Sequence, residues 1–304
     1  MLIERLDQIV EEARKRGRRR MAVAYGQDSH TLEAVYAAYQ EGLVEPTLYG
    51  DKAVIEEICA AEGLDVSVFK IIDESSDVKC VRMAVAAVVA GDADVLMKGL
   101  VSTDKYMRGI LNKEAGLFPP RGVLSHVSII EMPSSYPRLL TISDVAVLPL
   151  PDFKQKMVQI GYLAQTAKLL GVKTPKIACI APSEQVLLNV TSSTDGALLS
   201  KMADRGQLGD VIVDGPLSLD VALFKEVADH KKVKGSSIAG VPDCLLFPNL
   251  ESANVFFKSA SHLCGGELAA MVMGTKVPCV LTSRGDSSKT KLYSIALACL
   301  AVKS

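Results

Sequence analysis

Tryptophan is absent from the 304 residues, and aromatic side chains make up only 5% of them. A core without large rings must be filled by small aliphatics, which suits parallel strands buried under helices. No apolar run approaches the roughly 20 residues that span a bilayer. The start, Met1-Leu2-Ile3-Glu4-Arg5-Leu6-Asp7, reads as an amphipathic helix rather than a signal peptide. A soluble, cytoplasmic chain with no membrane partner is expected. The seven cysteines (59, 80, 179, 244, 264, 279, 299) form no C-x-x-C pair and are odd in number. They are expected to be reduced core residues, since a buried thiol packs as a small hydrophobe. An excess of charge is missing too: a net −1 gives no electrostatic case for nucleic acid. No G-x-G-x-x-G sits in a strand–helix turn, and the G-x-x-x-x-G-K-[ST] spacing of a phosphate loop is absent. There is no internal repeat, no low-complexity segment and no Asp cluster of the kind that holds a catalytic metal.

What the chain does have is alternation. Strand-length apolar runs fall at 21–25, 46–49, 67–72, 94–97, 123–131, 138–142, 176–181, 210–213, 243–247 and 278–282. Amphipathic stretches fall between them at 2–16, 29–41, 51–62, 77–90, 103–112, 152–170, 194–205, 218–230, 252–263 and 288–302. Such alternation predicts an α/β fold with largely parallel sheets. At 304 residues one core is outgrown, so one large or two medium domains are expected. Alternation breaks down around Pro119-Pro120, Pro133, Pro137, Pro149 and Pro151, and again from Gly265-Gly266 to Pro278. The predicted division is 1–135 with 275–304, and 136–274, with the last helix returning to the first domain. The basic run Arg14-Lys15-Arg16-Gly17-Arg18-Arg19-Arg20 reads either as an anion-binding edge or as a helix end followed by a solvated turn.

Several strand-end segments carry polar groups that can do chemistry. Lys98-Gly99-Leu100-Val101-Ser102-Thr103 follows one strand and opens a helix, where Ser102 or Thr103 can cap and backbone N–H groups can meet an anion. The alternative is a plain N-cap with Lys98 facing solvent. Arg121 offers a planar fork for phosphate oxygens, while His126, inside a strand, reads as a hydrogen-bonded core residue in preference to a catalytic histidine. Asp144 reads as a turn residue by default, with a cleft carboxylate as the alternative. Asp214-Gly215-Pro216-Leu217-Ser218-Leu219-Asp220 reads as a tight turn with Ser218 as the next N-cap, placing two carboxylates beside a strand end. Asn254 and Lys258 share a helix face. Thr282-Ser283-Arg284-Gly285-Asp286-Ser287 combines a neutral donor, an anion clamp and a carboxylate in one turn. It reads equally well as a capped helix start.

Together, Lys98–Thr103, Arg121–His126, Asp214-Gly-Pro-Leu-x-x-Asp220, Phe247-Pro-Asn-Leu-Glu-x-x-Asn254-x-x-x-Lys258 and Ser283-Arg284-Gly285 resemble the phosphate acetyl/butyryltransferase family. They keep its order across residues 20–300. The resemblance implies the reaction acyl-CoA + phosphate ⇌ acyl phosphate + CoA, with no metal and no resident cofactor. CoA and acyl-CoA are then substrates, alongside inorganic phosphate and acyl phosphate. It implies two α/β domains flanking a cleft, similar to the isocitrate/isopropylmalate dehydrogenase architecture, in a homodimer or higher homo-oligomer. Ser283 would stabilise the tetrahedral oxyanion, and Arg284 would bind phosphate or the phosphate end of CoA. Lys98, Ser102, Thr103, Arg121, Asp214, Asp220, Asn254 and Lys258 would bind substrate.

The chain departs from the acetyl-transferring pattern in two places. Thr290 stands where that subgroup carries an Asp, and His262 where it carries an Arg. The run from Ser283 to Ser294 instead resembles the butyryl-transferring subgroup, so an acyl group longer than acetyl is expected, with Asp286 as the replacement carboxylate. The alternatives are a phosphate acetyltransferase, a non-catalytic acyl-CoA-binding protein and a dehydrogenase of the same architecture.

Overall fold

The computed structural model describes residues 1–132, 134, 136–283 and 285–303. In chain order the elements are α1 (Leu6–Lys15), β1 (Arg19–Ala24), α2 (Ser29–Gln40), β2 (Val44–Gly50), α3 (Lys52–Ala61), β3 (Lys70–Asp73), α4 (Asp77–Ala90), β4 (Val95–Lys98) and α5 (Thr103–Leu111). There follow β5 (Ser125–Met132), β6 (Tyr136–Ser143), α6 (Phe153–Leu169), β7 (Lys176–Ile180), α7 (Thr191–Asp204), β8 (Ile212–Leu217), α8 (Leu219–Leu223), α9 (Lys225–His230), β9 (Cys244–Leu246) and α10 (Leu250–His262). The chain closes with β10 (Glu267–Met273), β11 (Cys279–Val280) and α11 (Ser288–Ala301).

These elements form two compact units. The first comprises Leu6–Gly122 and Ala269–Ser304, the second Met1–Arg5 and Val123–Leu268. In the first unit the strand order is β3-β2-β1-β4-β11-β10. β1, β2, β3, β4 and β11 run parallel, and only β10 pairs antiparallel to β11. The helix α11 packs on α1 and α2. In the second unit the order is β5-β6-β9-β7-β8, parallel except for the antiparallel pair β5–β6. The core is aliphatic, as the scarcity of aromatics requires: Met21, Leu32, Leu48, Leu96, Met97 and Ile110 are fully buried in the first unit.

Helix starts follow from local chemistry. Asp28, Asp51, Ser76, Asn249 and Ser287 each sit at an N-cap and accept a backbone N–H of the first turn. Asp152 and Gln155 close a full capping box on α6. Each such bond satisfies a donor that helix geometry leaves without a partner.

Four sequence expectations are corrected. The run 267–273, taken as part of a break between domains, is strand β10. Its Ala and Met residues carry none of the β-branched signal that marks a strand. The Gly215-Pro216 pair does not turn the chain; it lies inside β8, at a register shift against β7 between Ala178 and Ile180. Ser218 holds the N-cap position of α8 but makes no side-chain cap, because its hydroxyl goes to Glu184 and Asp220. The predicted single helix 218–230 is broken at the extended residue Phe224 into α8 and α9.

The basic run resolves into separate local partners. Arg14 pairs with Glu41, Arg16 donates to the Leu300 carbonyl, Arg18 stacks 4.3 Å over Tyr39, and Arg20 pairs with Asp94 at 2.6 Å. Among the described residues no helix is long and apolar enough to cross a membrane.

Six of the seven cysteines are buried, and Cys264 alone is exposed. Burial pushes the thiols of Cys179, Cys279 and Cys299 up to about 12, which leaves almost no reactive thiolate at neutral pH. A thiol reagent at pH 7 is therefore expected to label only Cys264 on the native protein and all seven cysteines after denaturation. Rapid labelling of two or more native thiols, located by peptide mass mapping, would contradict this burial pattern.

Candidate active site

In the first unit, β1, β4 and β11 are parallel neighbours, so their C-terminal ends lie on one side of the sheet. After β1 the chain passes through α2 to β2, whereas after β4 it leads the other way into α5. Adjacent strand ends whose connections diverge leave a crevice, the usual ligand position in such sheets. Here the crevice is a pocket of about 180 Å³. Its walls are the start of α2 (Asp28–Thr31), the loop Lys98–Leu100, the pair Thr282–Ser283, and Lys291 of α11.

The loop after β4 is held closely. The Gly99 and Leu100 N–H groups donate to the Ala24 and Tyr25 carbonyls at 2.9 and 2.8 Å. A Cβ on Gly99 would lie 2.3 Å from the Tyr25 oxygen, so only glycine fits. This contact fixes Lys98, whose side chain is 3% exposed and donates to the Gly99 carbonyl at 3.1 Å. The reading of Lys98 as a solvent-facing residue does not hold. From α5, the fully buried Tyr106 reaches back to the Val280 carbonyl at 3.2 Å and ties β11 into the same arrangement.

The turn after β11 is organised by backbone contacts. The Ser283 N–H donates to Asp286 Oδ2 at 2.7 Å, and the Asp286 N–H donates to the Ser283 carbonyl at 3.2 Å. The Lys291 ammonium donates to the Asp286 carbonyl at 2.6 Å and to the Ser283 carbonyl at 3.3 Å. Lys291 is 3% exposed. Burial pushes its ammonium below the ordinary lysine range, while Asp28, Asp286 and Glu33 pull it back up. Ser283 itself is exposed. Thr290 serves the start of α11, its N–H donating to Ser287 Oγ at 3.1 Å.

Of the expected site residues, Lys98, Ser283 and Asp286 thus come together. Arg284 lies outside the described residues. Ser102 is the N-cap of α5, and Thr103 is the first, exposed residue of that helix. Arg121 is exposed with a left-handed φ of 59°. None of these three lines the pocket, among the described residues. Lys291 carried no role in the sequence reading. The signal that points to it is a lysine within a helix whose following residues, Tyr293 to Leu300, are all apolar or small.

The second unit holds the remaining expected residues. Asp214 accepts the Gly215 N–H at 2.8 Å. Asp220 pairs with Lys231 at 3.0 Å, and the Ser218 hydroxyl, ahead of Lys231, holds its carboxyl below the ordinary range. Asn254 donates to the Val145 carbonyl at 2.9 Å, and Lys258 lies 5.3 Å from the centre of the Phe257 ring. His126 is buried beside Ser128, as expected for a core histidine. An apolar cavity of about 1200 Å³ opens beside Ile180, Phe247, Pro248 and Asn249, with Lys156 at its wall. Lys156 is ion-paired to Asp195 at 2.6 Å.

Asp144 does far more than shape a turn. Its carboxylate, 2% exposed, accepts from the Ser125 hydroxyl and from the backbone N–H groups of His126, Ala146, Val147 and Leu148, all within 2.9–3.1 Å. One side chain thereby ties the start of β5 to the loop after β6.

The family described as phosphate acetyl/butaryl transferase matches residues 5–82 and 76–299. The chain is similar to a phosphate butyryltransferase of Clostridium acetobutylicum, with 40% identity over 98% of this chain and 98% of that protein. A phosphate acetyltransferase of Thermotoga maritima is 39% identical over 96% of this chain and 98% of its own length. Among solved structures, a branched-chain phosphotransacylase from Enterococcus faecalis V583 superposes with a TM-score of 0.81 at 26% identity, covering 93% of this chain and 99% of that one.

Replacing Asp144 by Ala strands several buried donors at once. Each is worth about 1–3 kcal/mol when left unpaired, so the variant is expected to lose on the order of 3 kcal/mol or more of stability. Urea denaturation checks this, and a midpoint equal to wild type would refute the bracing role.

Proposed function

The chain belongs to the phosphate acetyl/butyryltransferase family, and from that premise we propose that it transfers a short-chain acyl group, butyryl in preference to acetyl, between CoA and inorganic phosphate. The observation that carries this reading is the Ser283 turn, held at the strand-end pocket beside the buried cation Lys98. In a ternary complex a phosphate oxygen attacks the thioester carbonyl carbon. The carbonyl becomes a tetrahedral oxyanion, the C–S bond breaks, and the thiolate leaves to be protonated as CoA. The Ser283 hydroxyl donates to the oxyanion, where a fixed donor is worth most. Arg284 binds phosphate. Holding phosphate and thioester in contact is itself a large part of the rate, and no acyl-enzyme is required.

Asp286 bonds the Ser283 N–H through Oδ2. Its proposed role as replacement carboxylate therefore couples proton transfer to the geometry of the serine turn. Lys98, Ser102, Thr103, Arg121, Asp214, Asp220, Asn254 and Lys258 are the proposed substrate-binding set. The reading also takes the two units as a dehydrogenase-like pair of α/β domains in a cytoplasmic homodimer, with CoA acting only as substrate.

A phosphate acetyltransferase is the second reading, favoured by the 39% identity to the Thermotoga maritima relative. Butyryl is preferred because Thr290 occupies the position of the acetyl subgroup's Asp, and here it serves the helix cap.

An acyl-CoA panel with inorganic phosphate, followed by CoA release, tests the proposal. Butyryl-CoA should give a higher kcat/KM than acetyl-CoA; the reverse order selects the acetyl reading, and no phosphate-dependent release rejects both. Ser283→Ala is expected to lower kcat about 10²–10³-fold, as removal of an oxyanion donor does elsewhere. Asp286→Asn with unchanged turnover in both directions would remove Asp286 from the mechanism.

A further inference from the structure

We propose that Lys291 is a substrate-contacting cation of this pocket, donating its third ammonium N–H to an oxygen of inorganic phosphate or of the acyl phosphate. The inference deepens the proposed phosphotransacylase reading and rests on it for the identity of the anion.

An ammonium has three donors. Two of those on Lys291 go to the carbonyls of Asp286 and Ser283, at 2.6 and 3.3 Å. Among the described residues no other acceptor takes the third, and Lys291 lines the 180 Å³ pocket. A water occupies about 30 Å³ of liquid, so the pocket has room for a tetrahedral oxyanion with water beside it.

The energetics point the same way. Lys291 is the fourth residue of α11, near the positive end of the helix, where a cation is disfavoured. It is also 3% exposed, and a buried charge is costly unless it is paired. Bracing two carbonyls does not require a charge, since an amide would supply two donors. A full cation at this position makes sense if an anion arrives to meet it. Lys98, equally buried, lines the same pocket. Asp28 is the one carboxylate among the lining residues, and its Oδ1 is occupied by the Thr31 N–H at 2.9 Å. Within the lining two cations therefore face one engaged carboxylate, while Asp286 and Glu33, outside the lining, also act on Lys291 and Asp286 is engaged by the Ser283 N–H. His30, also in the lining, lies 3.8 Å from Glu33.

Lys291→Gln keeps two donors for the carbonyls and removes the charge and the third N–H. Lys291→Met fills the volume of the buried stem and is the second variant should Gln disturb the turn. The readouts are the rise in melting temperature caused by inorganic phosphate, and the separate KM values for phosphate and butyryl-CoA. The expected result is loss of the phosphate-induced rise and a KM for phosphate at least about tenfold higher, with the KM for butyryl-CoA within about twofold of wild type. A variant that keeps the phosphate-induced rise and a KM for phosphate within about twofold overturns the proposal, even if kcat falls, because Lys291 then only positions Ser283. A wild type that is stabilised by phosphate through Lys291 yet releases no CoA from any acyl-CoA would sink the function while leaving the anion contact in place.

Discussion

The first unit turns on one close approach of backbone to backbone. The Gly99 and Leu100 N–H groups bond the carbonyls of Ala24 and Tyr25, and a Cβ at position 99 has no space. Two adjacent strand ends are thereby held together where each leads into a different connection. The wall of the pocket formed by the loop after β4 and the burial of Lys98 depend on that staple. Without it the loop after β4 would relax toward solvent, and Lys98 would follow, since a long cationic side chain keeps its head in water when it can.

On the other side of the pocket the same logic acts through side chains. Asp286 pins the Ser283 N–H, and Lys291 pins the two carbonyls of the turn. A serine whose backbone is bound from both directions has a fixed Cα–Cβ direction, which limits its hydroxyl to the few staggered rotamers. Such preorganisation separates a donor that stabilises a transition state from one that must first be arranged. Ser283 thus combines an exposed side chain with a fixed backbone.

Much of this was legible in the chain. Ser283 and Asp286 stand out as an unusual cluster after an apolar run, and Lys98 stands out as a charge at the end of the apolar strand β4. The helices were readable because their caps are local: Asp28, Asp51 and Ser287 act within three residues. What escaped was non-local or untypical. β10 is built of Ala, Met, Leu and Val with no turn signal inside it, and its strand state is decided by pairing with β11. Gly215-Pro216 looks like a turn in isolation, and the pairing of Asp214 and Leu217 with β7 on either side keeps it within the strand. Asp144 takes three of its five donors from its own turn, at Ala146, Val147 and Leu148, but the other two come from β5, eighteen and nineteen residues away. Lys291 looks like one more surface lysine until its helix proves to be buried nearly all round.

The packing of α11 onto α1 and α2 has a consequence for the order of events in synthesis. A ribosome releases the chain from its N-terminus, and domains generally fold as units while they emerge. The residues that complete the first unit, from Ala269 onward, leave only after the second unit has done so. The second unit, contiguous from Val123 to Leu268 apart from five N-terminal residues already released, is whole well before that. The Ser283 turn therefore emerges only after the second unit: a chain lacking α11 would carry a finished second unit and a first unit with no Lys291 to close the pocket.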